Sequence, residues 1–371
     1  MLCLWLIAGA LRDAAAFSAV QPAKCRGGAR AMRSLADDEP IRWLPPLDTR
    51  RMADVAPKEE PGMMVLPLFP LGNVAYTPGS TQTLNIFEPR YRKMYNDILM
   101  SGSRRFVTTM VNPAGDGELA EVGVVLYLED LKEVSQQTND AIKYVCSHKV
   151  LDARVKIHAV LNPSEVEARA TYMQCEVSDL ADDDAAADGE ERRPEAQAEE
   201  RAVALALGAL ARAQESMQEE VRFSVEAVSK ISAAPGVGPG TLWAVIELWK
   251  SFLDARAHAA ERQVKADLNA RLAKFLADKA DKDRSGDKAK PPQSVNLSDL
   301  PGELQRDFRS LRDRVMEDVG PLVEEQTTGI QRLLQAPSHA ERLRRFRNTV
   351  ETEEKRLLAK RTLMEALGEG N

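Results

Sequence analysis

Between Met63 and Val177 the chain alternates short apolar runs with turn signals, and this pattern constrains its fold more than any other feature. MMVLPLFPL is followed by Gly72-Asn73, then by TPGS, TLNIF, RRFVTTM, Pro-Ala-Gly-Asp-Gly and VGVVLYL; IKYVCSH, ARVKIHAVL, an Asn-Pro pair and ATYMQCEV complete the series. Each run has strand length, β-branched or aromatic residues, and in places a period of two, as in Val155, Ile157 and Ala159. A mostly β domain is therefore expected. One segment departs from the pattern: after Glu88-Pro89, the apolar residues Tyr91, Met94, Tyr95, Ile98 and Leu99 fall at helical spacing. With Pro near the first turn, this predicts one amphipathic helix.

The flanks differ in composition. Residues 37–62 are rich in Pro and charge and read as a flexible lead-in. Residues 179–200 carry ten acids against two bases, with no large apolar side chain after Leu180, and read as a solvated acidic linker between two units. From 201 to 371 the periodicity is helical, with a charged, Pro-containing break at about 280–296. Helices are expected from Ala202 on to Val228, from Thr241 to about Lys279, over Leu300–Met316 and Pro321–Leu334, and from a capping box at Ser338–Glu341 toward Leu367. The helix from Thr241 would be roughly 58 Å long, too long for burial in one small domain. Its apolar face is Leu242, Val245, Ile246, Trp249, Phe252 and Leu253; Trp243 falls off that row, so packing and, if exposed, a binding role both stay open for it.

The first residues look like an address. Leu2–Leu11 is an apolar run followed by Ala14, Ala15 and Ala16, shorter than a membrane span and suited to a signal-peptide core. Phe17–Ala36 then carries Lys24, Arg26, Arg30 and Arg33 with no acid, the composition of an organelle transit peptide. Two addresses in series, broken at Ala16-Phe17, resemble the bipartite leader of plastid proteins in algae with complex plastids. Residues 1–36 are thus expected to direct the protein to a plastid, with mitochondrial or secretory destinations as the alternatives. Without them the chain has 45 Lys+Arg against 56 Asp+Glu, a net charge of −11, which weighs against nucleic acid as a partner.

Few residues offer chemistry. Four Cys and four His with no C-x-x-C pair give no zinc pattern, and no metal or cofactor is expected. Pro235–Thr241 (PGVGPGT) precedes a helix but lacks the Lys of a phosphate loop and inserts prolines, so an interhelical turn with Thr241 as N-cap is expected. Cys146 and His148 share one face of a predicted strand, yet a Cys in a β core is more often a small hydrophobe than a nucleophile. Arg342, Arg344, Arg345 and Arg347, followed by Glu351, Glu353 and Glu354, read as a solvated, ion-paired face. The methionines of the β domain fit either core filling or an adaptable peptide-contact surface.

The run Leu66-Pro67-Leu68-Phe69-Pro70-Leu71-Gly72, the Pro78-Gly79 pair, Ile86-Phe87-Glu88-Pro89-Arg90-Tyr91-Arg92 and Arg105-Phe106 closely resemble the N-terminal substrate-binding domain of Lon proteases. VGVVLYLEDLKEV, YVCSHKVLDARVKIHAVLNP and, in the helical half, TLWAVIELWKSFL, VNLSDLP and SHAERLRRFR are similar to stand-alone plastid LON-domain proteins of plants and algae. The resemblance implies an α+β protein: a PUA-like β pseudobarrel over 63–178, followed by a C-terminal helical bundle with one long helix. One departure is that Asp152-Ala153-Arg154-Val155 stands where the family usually has a Gly, so the turn there should differ. Pro67, Pro70 and Gly72 are expected to shape the first strand and its turn, and Phe69 and Phe87 to fill the core. Glu88, Arg90 and Arg105 are expected to form an ion-pair set that fixes the helix. A substrate contact at Arg90, Tyr91, Arg92 or Trp243 is the sharper alternative.

Nothing after Val177 resembles the ATPase or protease domains of full Lon, and no G-x-x-x-x-G-K-[ST] occurs. The resemblance then implies a non-catalytic protein-binding module without cofactors, an adaptor or chaperone-like factor for polypeptide clients in plastid protein quality control, with an organellar protease or chaperone as partner and no membrane span in its mature form. The alternatives are a PUA-like RNA-binding protein, an assembly scaffold for an organellar complex, and a hydrolase built on Cys146 and His148.

Overall fold

Six strands form where the apolar runs lie: β1 (Met63–Gly72), β2 (Thr81–Ile86), β3 (Arg105–Val111), β4 (Val122–Glu133), β5 (Tyr144–Val160) and β6 (Met173–Leu180). The computed structural model describes residues 39–47, 54–58, 60–115, 117–183, 193–224, 228, 239–283 and 302–367. The leader (1–36), residues 184–192 of the acidic segment, the 235–238 part of the Gly-rich turn and the 284–296 part of the charged break lie outside them. The strands make one mixed sheet in the order β2-β5-β4-β3-β1-β6, with β5 pairing β6 as well. The pairings β1–β3, β3–β4, β4–β5, β5–β6 and β6–β1 therefore return to their start, and β2 hangs outside this circuit on β5.

β1 makes that circuit possible by changing partners. Met63–Leu68 runs antiparallel to β6 and Leu68–Gly72 parallel to β3. Pro67 and Pro70 are tolerated because each half of β1 is bonded on one side only, so neither ring removes a needed ladder donor. The turn after β1 is made by Asn73, which takes the left-handed conformation at φ 54°, and not by Gly72, the last residue of the strand, where a Cβ would meet open space.

Period-two patterning turns Leu68, Val107, Val125, Val155, Ile157, Met173, Cys175 and Val177 into one buried cluster. Leu44 joins it, with its N–H donating to the Leu119 carbonyl at 2.7 Å, while Trp43 bridges to Ala120. This part of the lead-in is structured, contrary to its composition, because its backbone pairs with the 119–121 segment, the Glu121 N–H donating to the Arg42 carbonyl at 2.9 Å, and Leu44 is buried. The Asp152-Ala153-Arg154 departure lies inside β5. There the register with β4 jumps from Val124↔Arg154 to Leu126↔Val150, a bulge that bends the strand where a Gly was expected.

α1 (Pro89–Met100) is the predicted helix, with Pro89 in its first turn and Tyr91, Met94, Tyr95 and Ile98 buried. A short α2 (Glu165–Ala168) precedes β6. α3 (Arg193–Ser216) begins inside the stretch expected to be linker and ends before Val228. Past its end Gln218 has φ 53°, and the buried Gln214 side chain accepts the Phe223 N–H at 2.9 Å, so side-chain bonding interrupts the helix; Val228 is helical again, its N–H on the Ser224 carbonyl at 3.0 Å.

α4 (Pro239–Asp283) buries Leu242, Val245, Ile246, Trp249, Phe252 and Leu253 as its period predicts. Pro239 occupies its start, so Thr241 lies within the first turn and not at the N-cap. α5 (Gly302–Glu324) runs through Pro321, where a break was expected; a π-turn at Glu325–Gly329 follows, then α6 (Ile330–Leu334). α7 (His339–Leu367) starts at the predicted cap, with the Glu341 N–H on Ser338 Oγ at 3.1 Å.

The described residues fall into two compact units: 252–283 with 302–325, and 39–251 with 326–367. The acidic segment was expected to part sheet from helices; instead the sheet shares the larger unit with α3, α6 and α7. Its Asp182 is not solvated. The carboxylate pairs with the buried guanidinium of Arg154 on β5 and accepts two bonds from Arg342 on α7, at 2.5 and 3.1 Å. Arg154 also donates to the Leu334 and Ala336 carbonyls at 2.5 and 2.8 Å, and Arg342 to the Leu333 carbonyl at 3.2 Å. These carbonyls end α6, so the guanidinium groups also satisfy helix-terminal acceptors. Two buried glutamines complete the seam: Gln331 donates to the Val122 carbonyl at 2.8 Å, and Gln335 exchanges bonds with the Pro40 and Arg42 backbone at 3.0 Å. Arg342 is thus buried, not solvated as expected. Arg344, Arg345 and Arg347 are ion-paired, with Glu195, Glu341, Glu39, Glu199 and Glu351.

Removing the carboxylate leaves two guanidinium groups buried without their counter-charge. Asp182→Ala is expected to lower unfolding free energy by about 3–5 kcal/mol, measured by urea denaturation.

Candidate functional site

The motif residues converge where α1 meets the sheet. Tyr91 packs against Phe69 with the rings tilted by 35° and centroids 3.8 Å apart, and Phe106 lies 6.0 Å from Phe69, 5.8 Å from Tyr95 and 5.4 Å edge-on from His148. Burial pushes the Tyr91 hydroxyl up to about 12. Arg90 lies over the Tyr91 ring at 4.6 Å while its Nε donates to Glu88 at 2.8 Å. Arg92 donates to the Phe87 carbonyl at 2.9 Å, to both Asp140 carboxylate oxygens and to the Asp140 carbonyl at 2.8 Å.

These contacts sort the expectations. Phe69 and Phe106 fill the core, whereas Phe87 is 56 % exposed, because it falls between the end of β2 and the start of α1 and neither period turns it inward. Glu88 and Arg90 pair, but Arg105 is exposed at the start of β3 and stands apart from them. Tyr91 and Trp243 are 4 % and 5 % exposed, so neither ring presents a surface to a client; the Arg90 and Arg92 side chains are held by partners of the domain itself. Arg90, Tyr91 and Arg92 sit together on α1, and Trp243 belongs elsewhere. It lies against the Arg342 guanidinium, 4.9 Å from its ring centroid, on a cavity of about 280 Å³ lined also by Asp152, Arg154, Asp179 and Asp182.

Sequence reading did not find the partner of His148. Its Nδ1 faces the Gln82 carbonyl at 3.3 Å and its Nε2 meets the Tyr95 hydroxyl at 2.7 Å. A carbonyl only accepts, so the proton sits on Nδ1 and Tyr95 donates to Nε2. Burial holds this imidazole down to about 4. Burial likewise raises the Cys146 thiol to about 12, with the Asp130 carboxylate adding to the shift, and lifts the Cys175 thiol. A thiol held protonated beside a histidine whose lone pair is already engaged lacks what nucleophilic catalysis requires. Among the described residues, no group of three or more His, Cys, Asp or Glu converges as a metal site would, and no helix is long and apolar enough to cross a membrane.

A family model described as the ATP-dependent protease La (LON) substrate-binding domain matches residues 65–350. The match thus runs through the sheet and well into the helices. Among solved structures, the chain is similar to the N-terminal domain of the Mycobacterium avium complex Lon protease, at 11 % identity over 46 % of this chain and 77 % of that one, with a TM-score of 0.30. It is also similar to a Lon N-terminal domain protein from Xanthomonas campestris, at 23 % identity over 50 % of this chain and 97 % of that one, with a TM-score of 0.27. No curated protein matches the chain.

His148 is neutral in the fold and titrates near 6.5 once unfolded, so its contribution to stability is complete above pH 6.5 and is lost as pH falls toward 4. Across that window the loss is expected to reach roughly 3 kcal/mol. Urea denaturation at pH 7 and 4.5 should show this fall in the wild type and a smaller one in His148→Gln.

Proposed function

The chain belongs to the LON substrate-binding domain family, and from that premise we propose that it is a non-catalytic protein-binding factor, an adaptor or chaperone-like protein that holds polypeptide clients in plastid protein quality control. The observation that carries this reading is the family match over residues 65–350, a domain whose description is substrate binding. Two features support it. The sequence contains no G-x-x-x-x-G-K-[ST] nucleotide loop, and the Cys146–His148 pair, the nearest approach to a nucleophile and base, is buried with its thiol protonated and its imidazole bonded on both nitrogens. The closed circuit of pairings through β1, β3, β4, β5 and β6 supports reading the sheet as a PUA-like pseudobarrel.

Plastid residence rests on the composition of residues 1–36, and an organellar protease or chaperone is the partner that an adaptor of this kind would serve. Its acidic balance favours protein over nucleic acid as the ligand.

The test is capture by residues 37–371 from plastid lysate, with and without RNase. Recovery of proteases, chaperones or damaged proteins regardless of RNase is the expected result, and an RNase-sensitive haul would replace this reading with RNA binding. A fusion of residues 1–62 to a fluorescent protein is expected to accumulate in plastids; accumulation in mitochondria or the secretory route would overturn the destination.

A further inference from the structure

We propose that the outer edge of β2 is a docking edge on which an unfolded polypeptide segment adds to the sheet as a further strand. The proposal rests on the protein-binding reading and specifies where and how a client is held.

β2 is the strand left outside the closed circuit of pairings, and among the described residues it has a neighbour on one side only, β5. Two bonds fix which groups face which way. The Val150 N–H donates to the Ser80 carbonyl at 2.8 Å and the Lys143 N–H to the Ile86 carbonyl at 2.9 Å, so carbonyls at both ends of the strand, on even-numbered residues, face β5. Backbone groups alternate in direction along a strand, which turns the N–H and C=O of Thr81, Thr83 and Asn85 outward. The side chains of the same three residues are exposed, while those of Gln82, Leu84 and Ile86 are turned at least partly into the protein. Among the described residues, the outer edge is therefore a row of donors and acceptors without a strand partner, with small, polar, accessible side chains.

Edges of this kind are normally blunted by Lys, Pro, a bulge or a covering element. Thr81–Ile86 (TQTLNI) contains no Pro and no charge, and its register with β5 runs without a shift. That uncharged character also selects the occupant. A nucleic-acid backbone requires cations, and the nearby Arg92 is committed to Asp140. An extended polypeptide requires only main-chain partners, which makes the recognition tolerant of client sequence. Phe87, exposed directly beyond the strand, supplies an apolar contact for a side chain of the added segment.

The experiment uses the full chain with carboxymethylated α-lactalbumin, an acidic and permanently unfolded polypeptide, as probe, with binding followed by fluorescence anisotropy. Thr83→Pro removes one outward N–H without touching the ladder to β5. The pair Thr81→Lys and Asn85→Lys charges the edge and covers the case in which the proline variant fails to fold. Because the probe is acidic, added lysines favour binding electrostatically, so a loss reports the edge itself. At least tenfold weaker binding with an unchanged thermal midpoint is expected. Variants that bind like the wild type would overturn the edge and leave protein binding intact. A wild type that ignores the probe but forms a concentration-dependent dimer, lost in the lysine pair, would reassign the edge to a second copy of this chain and overturn the proposal. No binding to this probe or to any other unfolded polypeptide, without such a dimer, would overturn the protein-binding reading along with it.

Discussion

A single carboxylate between two buried guanidinium groups ties the larger unit together. Asp182 follows β6, Arg154 lies on β5 and Arg342 on α7, and carbonyls at the end of α6 accept further guanidinium N–H bonds. Charges taken out of water are costly unless paired and fully hydrogen-bonded, so this cluster is compatible with few other arrangements of sheet and helix. It specifies one docking of the C-terminal helices through geometry, where apolar surfaces alone would tolerate sliding. The buried Gln331 and Gln335 work in the same sense, each meeting backbone groups that the sheet and lead-in leave over.

The second organising feature is the aromatic cluster beneath α1. Phe69, Tyr91, Tyr95 and Phe106 come from β1, α1 and β3, and His148 from β5 closes the set. Here the residues that mark the family are structural: they seat the helix on the sheet and leave little polar chemistry free. Among the accessible groups at the margin are the exposed Phe87 and the side chains of Thr81, Thr83 and Asn85 on β2. A domain that binds polypeptides through a margin of main-chain groups can accept varied clients while its centre stays fixed.

The legible parts of the fold are those set by local pattern. The strands follow from period-two apolar runs, α1 from helical spacing after Glu88-Pro89, and the start of α7 from Ser338 three residues before Glu341. The misread parts are those where composition stood in for contact. Leu44, in a Pro-rich charged stretch, joins the sheet's core while Trp43 bridges to Ala120, and an acid-rich run read as linker supplies Asp182 to the buried cluster and the first turns of α3. Pro321, read as the start of a separate helix, lies inside α5, and a π-turn follows at Glu325–Gly329. For the site, the sequence singled out Arg90, Tyr91, Arg92 and Trp243 by type, yet exposure decides whether a side chain can meet a ligand, and these face inward or are already partnered.

The sequence by itself determined the family, the strands of the sheet, the helix α1 and the cap that opens α7, because side-chain periodicity and capping act within a few residues. Only the tertiary structure decided that β1 is shared between β3 and β6, that β2 has a neighbour on one side only among the described residues, and that an aspartate in an acidic run is buried between two arginines. Each of these depends on partners that are distant in the chain: Arg154 and Arg342 are separated from Asp182 by 28 and 160 positions. Whether a charge faces water or a counter-charge is a property of that long-range pairing, and no local pattern carries it.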